Sequence, residues 1–238
     1  MNVNGDITLG GHMNNEYEIN QLAKEDSWRM FRIIGELVEG FDSLADIVPA
    51  VTIYGSARLK PDNEWYTQTE EIAYLLGKAG FNIMTGGGPG VMEAANLGAR
   101  RAGVISVGLN IQLPKEQVCN VYADRVIKFH HFFVRKVMLV KYATAFIIMP
   151  GGLGTLDELT EILTLIQTQK VKPFPVIMFS SEYWGGFLEW LKGTVLAHGH
   201  ISEEDFDLLR VFDSPTEIVS AVEKWSTVQE VMGRKALQ

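Results

Sequence analysis

Residues 145–158 read AFIIMPGGLGTLDE, and this stretch decides the fold. Ala145–Met149 is an uninterrupted apolar run of strand length, too short for a buried helix. Pro150 ends it, three glycines follow within four positions, and from Thr155 the apolar residues recur at helical spacing to about residue 168. An apolar strand passing through a glycine-rich loop straight into a helix is the repeating unit of an α/β sheet.

The same alternation extends in both directions. Apolar runs predict strands at Val51–Tyr54, Phe81–Thr85, Val104–Leu109, Val126–Phe129 and Val176–Phe179, besides Ala145–Met149. Helical periodicity marks 64–79, 90–102, 132–142, 155–168, 183–197 and 215–225. Strands this apolar are covered on both faces, so the expected architecture is a three-layer, doubly wound, mostly parallel α/β sheet. Pro173 and Pro175 mark the turn into 176–179, and Ser214-Pro215 opens the last helix. Upstream of the first strand, Leu22, Trp28, Phe31, Ile34, Leu37, Val38 and Phe41 recur every three or four residues, predicting a helical extension over 18–45. It either packs on the outer face of the sheet or makes an oligomer contact. Residues 1–15, rich in Asn and Gly, are expected to form a mobile tail before a single domain spanning 16–238, its core at 50–225.

The 238 residues carry 21 basic and 29 acidic side chains, a formal net charge of −8. That balance argues against sequence-independent nucleic-acid binding, which needs a surplus of Lys and Arg. Any phosphate must be held locally. One cysteine, Cys119, excludes an intrachain disulfide and a CxxC pair. No apolar run is long enough to span a bilayer, and MNVNGDITLGGHMNNEYE lacks the pattern of a signal peptide, so a cytoplasmic, membrane-free protein is expected.

In open α/β sheets ligands bind beyond the carboxyl ends of the strands. Three of those ends carry unusual loops: Gly55-Ser56-Ala57-Arg58, Gly86-Gly87-Gly88-Pro89-Gly90, and Pro150-Gly151-Gly152-Leu153-Gly154-Thr155. Glycine lets a ligand approach the backbone closely, and free first-turn amides at a helix N-terminus attract an anion. A phosphate is the expected guest, and a side chain at Gly154 is expected to crowd it or strain the loop. No GxxxxGK[ST] or GxGxxG spacing is present, which sets aside P-loop nucleotide hydrolysis and NAD. Glu158 has two readings. Thr155-Leu156-Asp157-Glu158 fits a T-x-x-E capping box; alternatively, Glu158 is a working carboxylate beside the anion site, balanced by Arg135 or Lys136. His130 and His131 have no third ligand at metal spacing and read as structural or base-contacting; no metal or other cofactor is expected.

The combination of GGGPGVMEAAN (86–96), FFVRK (132–136) and PGGLGTLDE (150–158) resembles the Lonely Guy family of cytokinin riboside 5′-monophosphate phosphoribohydrolases, long labelled lysine decarboxylase-like. The resemblance runs from about Val51 to Trp225, and the extension before residue 50 looks like the family's longer branch. It implies a modified Rossmann-like fold, at least dimeric, that hydrolyses the N-glycosidic bond of AMP or an N6-substituted AMP to free base and ribose 5-phosphate. By the same resemblance, Glu158 is catalytic with Arg135 as its cationic partner, and Gly151, Gly152, Gly154 and Thr155 hold the 5′-phosphate. Gly55, Ser56, Gly87, Gly88, Glu93 and Lys136 complete the expected substrate contacts, Glu93 at the ribose or base. Many members carry His where this chain has Phe133, so no role transfers there. Two other readings stay open: a non-catalytic carrier of a nucleotide or phosphorylated cofactor, and a pyridoxal phosphate enzyme, which needs a Schiff-base lysine beside the phosphate.

Overall fold

Strand β1 (Ala50–Tyr54) is buried at every position, as a strand covered on both faces must be. In the computed structural model, which describes residues 26–113 and 119–236, β1 lies inside a seven-stranded sheet. It pairs with β2 (Asn82–Thr85) on one side and β5 (Ala143–Ile148) on the other. Beyond β2 come β3 (Ser106–Ile111) and β4 (Arg125–Phe129); beyond β5 come β6 (Val176–Phe179) and β7 (Leu209–Phe212). The order is β4-β3-β2-β1-β5-β6-β7, with every neighbouring pair parallel.

Side-chain alternation along β1 divides the core. Val51 and Ile53 face Ile72 and Leu76 of α2 (Glu64–Lys78), Val91 and Ala95 of α3 (Val91–Ala102), and Val222 of α7 (Pro215–Ala236). Ala50 and Tyr54 join Met138 and Leu139 of α4 (Phe132–Lys141), Leu159 and Ile162 of α5 (Leu153–Gln167), and Trp184 of α6 (Ser181–Trp190). Each such fully buried aliphatic side chain contributes about 1.5–3 kcal/mol. Two cores around one sheet make the three layers.

The extension adds α1 (Asp26–Ser43) outside α4. Ile33 and Leu37 pack inward, and the anchor is polar. Buried Glu36 accepts hydrogen bonds from the backbone N–H groups of His130 (3.1 Å) and His131 (3.3 Å), and both imidazole Nδ1 atoms lie 3.1 Å from its Oε1. His131 is the N-cap of α4 and makes no side-chain cap of its own. A carboxylate from another helix therefore meets the orphan donors and the positive end of the α4 dipole. His130 and His131 thus have a structural role here. The outer stripe of α1, with Trp28, Phe31, Ile34, Val38 and Phe41, is exposed.

The structure departs from the expected elements at the sheet edge and in the last two helices. Of the extension predicted over 18–45, residues 18–25 lie outside the described residues, as do Leu22 and the expected tail 1–15. Strand β7 was not expected: Leu-Arg-Val-Phe is only half-buried at the sheet edge and has no continuous apolar run. The helix expected over 183–197 begins at Ser181, where Ser180 caps it by accepting from the Tyr183 N–H, and passes into a π-helical segment at Leu191–Leu196. Helix α7 continues well past residue 225, to Ala236.

Candidate active site

From β1 the chain steps outward through β2 and β3 to β4, then returns to the far side of β1 as β5. A crevice opens where strand order reverses in this way. The backbone stitches the loops around it. The Met149 N–H donates to the Tyr54 carbonyl (2.8 Å), the Ser56 N–H to the Pro150 carbonyl (3.0 Å), and the Val91 N–H to the Ser56 carbonyl (3.0 Å). Ser56 thereby ties the loops after β1, β2 and β5 together.

Two glycines are required by this stitching. A Cβ on Gly151 would strike the Thr155 side chain and come within 3.0 Å of the Ser56 nitrogen. Gly90 sits at φ +68°, and a Cβ there would press on the Ser56 carbonyl and Ala57. Gly154 is different: nothing lies within 4 Å of the position its Cβ would take, and its φ is not left-handed. The expected backbone strain at Gly154 is therefore absent, and only crowding of a ligand is left.

Helix α5 starts at Leu153, with Gly152 as N-cap. Thr155 is thus inside the first turn, and the capping-box reading of Thr155 and Glu158 is excluded because neither occupies the position that motif needs. The Thr155 and Leu156 N–H groups both return to the Gly152 carbonyl at 3.0 Å, and the Leu153 and Gly154 amides have no acceptor among the described residues, which leaves them as open donors at the positive end of the helix. Tyr183 holds the loop from α6, its hydroxyl donating to the Gly151 carbonyl at 2.7 Å.

Further along α5, Glu158 is buried and faces α4. Its Oε1 accepts from Arg135 Nη2 at 3.1 Å, and both side chains are largely withdrawn from water. Burial pushes the Glu158 carboxyl above its ordinary value, and the charges of Arg135 and Lys136 oppose that rise. Only part of the pair's hydrogen-bonding capacity is used: Glu158 Oε2 and Arg135 Nε are buried without a partner among the described residues.

These groups line one cavity of about 710 Å³, within the size range of small-molecule sites. Of the residues singled out in the sequence, Gly55, Ser56, Arg135, Gly151, Gly152, Gly154, Thr155 and Glu158 all border it, and so do Met92 and Phe132. Four expected contacts are not brought there. Lys136 projects away from it, its ammonium held by Asp157 (2.8 Å) and Glu161 (2.9 Å). Glu93 accepts from the Tyr66 hydroxyl at 3.0 Å instead. Gly87 and Gly88 do not border the cavity, and an internal network holds their carbonyls and the Gly87 N–H. The Gly87 N–H donates to Thr85 Oγ1, its carbonyl accepts from the Asn120 N–H, and the Gly88 carbonyl accepts from Asn120 Nδ2. Buried Asn96 closes that network, accepting from Thr85 Oγ1 and Asn120 Nδ2 while donating to Ser106. Phe133 also lies away from the cavity, beside His131. Tyr54, Trp65 and Tyr183 line the cavity and escaped the sequence reading. Tyr54 and Tyr183 sit at or just after the carboxyl ends of strands, a position that itself was the available signal.

Known proteins resemble this chain in sequence and in fold. A family model described as "Possible lysine decarboxylase" matches residues 92–222. A Mycobacterium tuberculosis protein named cytokinin riboside 5′-monophosphate phosphoribohydrolase is 30% identical over 161 residues, covering 63% of this chain and 81% of its own. The Arabidopsis thaliana cytokinin riboside 5′-monophosphate phosphoribohydrolase LOG3 is 26% identical over 184 residues, covering 76% of this chain and 80% of its own. Among solved structures, the molybdenum cofactor binding protein of Rippkaea orientalis superposes with a TM-score of 0.53 at 22% identity, over 74% of this chain and 94% of that one. At that identity the likeness establishes the fold alone.

Proposed function

The chain belongs to the Lonely Guy family, and from that membership and the cavity's geometry we propose that it is a nucleoside 5′-monophosphate phosphoribohydrolase acting on AMP or an N6-substituted AMP. The observation that carries the proposal is one cavity holding both an open helix N-terminus and a buried carboxylate–guanidinium pair. The 5′-phosphate takes the Leu153 and Gly154 amides and the Gly151–Thr155 loop, with the exposed Arg58 at the rim as a further cation. The described lining carries Arg58 and Arg135 against the single carboxylate Glu158, a local positive excess within an acidic chain. Met92, Ile111, Leu113 and Phe132 offer an apolar wall for the base.

Anchoring the phosphate fixes the anomeric carbon relative to Glu158, so remote binding energy is used for positioning. The bond from C1′ to the base nitrogen breaks, its electron pair leaving with the base, and positive charge develops on an oxocarbenium-like sugar. Glu158 stabilises that charge and accepts a proton from the attacking water, whose oxygen forms the new bond to C1′. The proton ends on the departing base. The charge of Arg135 favours the ionised carboxylate and so opposes burial, which favours its neutral form.

A carrier needs the phosphate seat but has no use for the Glu158–Arg135 pair. A Schiff-base mechanism needs a lysine, and no described lysine lines the cavity. We include in the proposal a pairing of two copies through the exposed apolar stripe of α1, since Trp28 (74% exposed) and Phe31 (68% exposed) are costly to leave in water.

The test is incubation with AMP, an N6-isopentenyl AMP, other nucleoside monophosphates and adenosine, followed by chromatography for free base and ribose 5-phosphate. AMP or its N6-substituted form should be cleaved with kcat/KM far above that of the nucleoside. Comparable values would remove the phosphate anchor, and binding without cleavage of any nucleotide would move the protein to the carrier reading.

A further inference from the structure

Tyr54 ends β1 at the topological switch, its carbonyl fixed by the Met149 N–H at 2.8 Å. Its side chain points to the α4 and α5 face, and its ring stacks on Phe146, with centroids 6.3 Å apart and planes within 9°. The residue is only 5% exposed, and its hydroxyl has no hydrogen-bond partner among the described residues. Packing does not explain that oxygen, because phenylalanine would fill the same space. Burying a hydroxyl unpaired costs stability, so a retained phenol in a core position calls for a partner.

The partner is to be sought in the cavity, which Tyr54 lines together with Arg135 and Glu158. Burial, and after it the negative charge of Glu158, raises the phenol well above its ordinary value. It stays protonated at every physiological pH and acts as a donor. Glu158 Oε2, also buried and unpaired, is an acceptor when ionised. Tyr54 and Glu158 border the same cavity, and a phenol donor and a carboxylate acceptor on one lining are complementary to a hydroxyl oxygen, which accepts from one group and donates to the other.

We infer that Tyr54 is a substrate-contacting hydrogen-bond donor of this site, receiving together with Glu158 Oε2 one hydroxyl oxygen at the reacting centre, either of the ribose or of the attacking water. The inference rests on the reading of the cavity as a ribose 5-phosphate site. Neither the glycine-rich loops nor the Glu158–Arg135 pair requires it, and it makes β1 a contributor of chemistry as well as of framework.

The experiment is Tyr54→Phe in the full chain. Three quantities are measured: the thermal midpoint without ligand, the affinity for ribose 5-phosphate by calorimetry, and kcat with AMP. The midpoint should be unchanged or higher, since an unpaired hydroxyl has been removed from the core. If the hydroxyl belongs to the ribose, affinity for ribose 5-phosphate falls about tenfold. If it belongs to water, affinity holds and kcat falls at least tenfold. Affinity and kcat both within twofold of the parent overturn the inference, whatever the midpoint does. A parent protein that binds ribose 5-phosphate yet cleaves no nucleotide refutes the hydrolase reading alone, and the affinity measurement then decides Tyr54 by itself. A parent protein that neither binds nor cleaves overturns both.

Discussion

Replacing Glu158 by Gln separates a catalytic carboxylate from a structural one, because the structure sets what each predicts. The amide keeps the shape and can still accept from Arg135 Nη2, but it leaves the guanidinium without its charge partner among the described residues. Removing a partner outright from a buried pair costs about 3–5 kcal/mol; retaining the hydrogen bond and relieving an ionised carboxylate of its desolvation should reduce that to about 1–2 kcal/mol. For a chain of this size, that lowers the thermal midpoint by roughly 2–8 °C. If Glu158 merely fastens α5 to α4, turnover with AMP well below the midpoint should survive. If it stabilises the developing cation and takes the proton from water, kcat falls on the order of 10²-fold or more with the fold intact. The pH profile adds an independent reading. Burial raises the carboxyl above its ordinary value, so the parent enzyme loses activity with falling pH at a point above the usual carboxylate range. Arg135→Ala removes the cation that opposes this rise and moves that acidic limb to still higher pH. Stability runs the other way: a raised folded-state value means that acidification through this window favours the folded form, as far as Glu158 is concerned. Circular dichroism melts and kcat for each variant suffice. More than about half of parental turnover in Glu158→Gln would refute the catalytic assignment.

Gly151→Ala should destabilise the protein by at least about 1–3 kcal/mol through conflict with Thr155 and Ser56, whereas Gly154→Ala should melt near the parent and lose nucleotide affinity only; thermal melts and calorimetry of both variants check this. The α1 stripe should hold two copies together: light scattering at micromolar concentration is expected to give a dimer or a higher even-numbered assembly, and Phe31→Asp, on the exposed face, should shift it toward monomer without lowering the monomer's stability. A parental protein that is monomeric at that concentration would refute the pairing.

Hydrophobic runs and glycine-rich strand ends were enough to recover the parallel sheet, because strands covered on both faces are mostly apolar. Val176–Phe179 is read to the residue, whereas β7, half-buried at the edge, carries too little apolar sequence to stand out. The site was legible in position more than in detail. That three loops share one edge follows from the alternation of strands and helices. Which glycine faces a ligand and which is framework does not, because that depends on strand order, a long-range property. Gly87 and Gly88 look like phosphate ligands until Asn120, distant in sequence, is seen to hold their carbonyls and Thr85 the Gly87 N–H. Glu158 looked like half of a capping box because Thr155-Leu156-Asp157-Glu158 has the T-x-x-E spacing at the start of the helix expected over 155–168; the open amides of Leu153 and Gly154 exist because α5 begins earlier. Tyr54 was hidden for the opposite reason. At the end of an apolar strand an aromatic residue reads as core, and by packing it is core; only its unpaired hydroxyl marks it out. Periodicity reports which way a side chain points, whereas function at this switch point rests on which polar atoms are left without partners once the chain has folded. For that reason the most informative substitutions here are those, such as Tyr54→Phe and Glu158→Gln, that change one polar atom or one charge and nothing else.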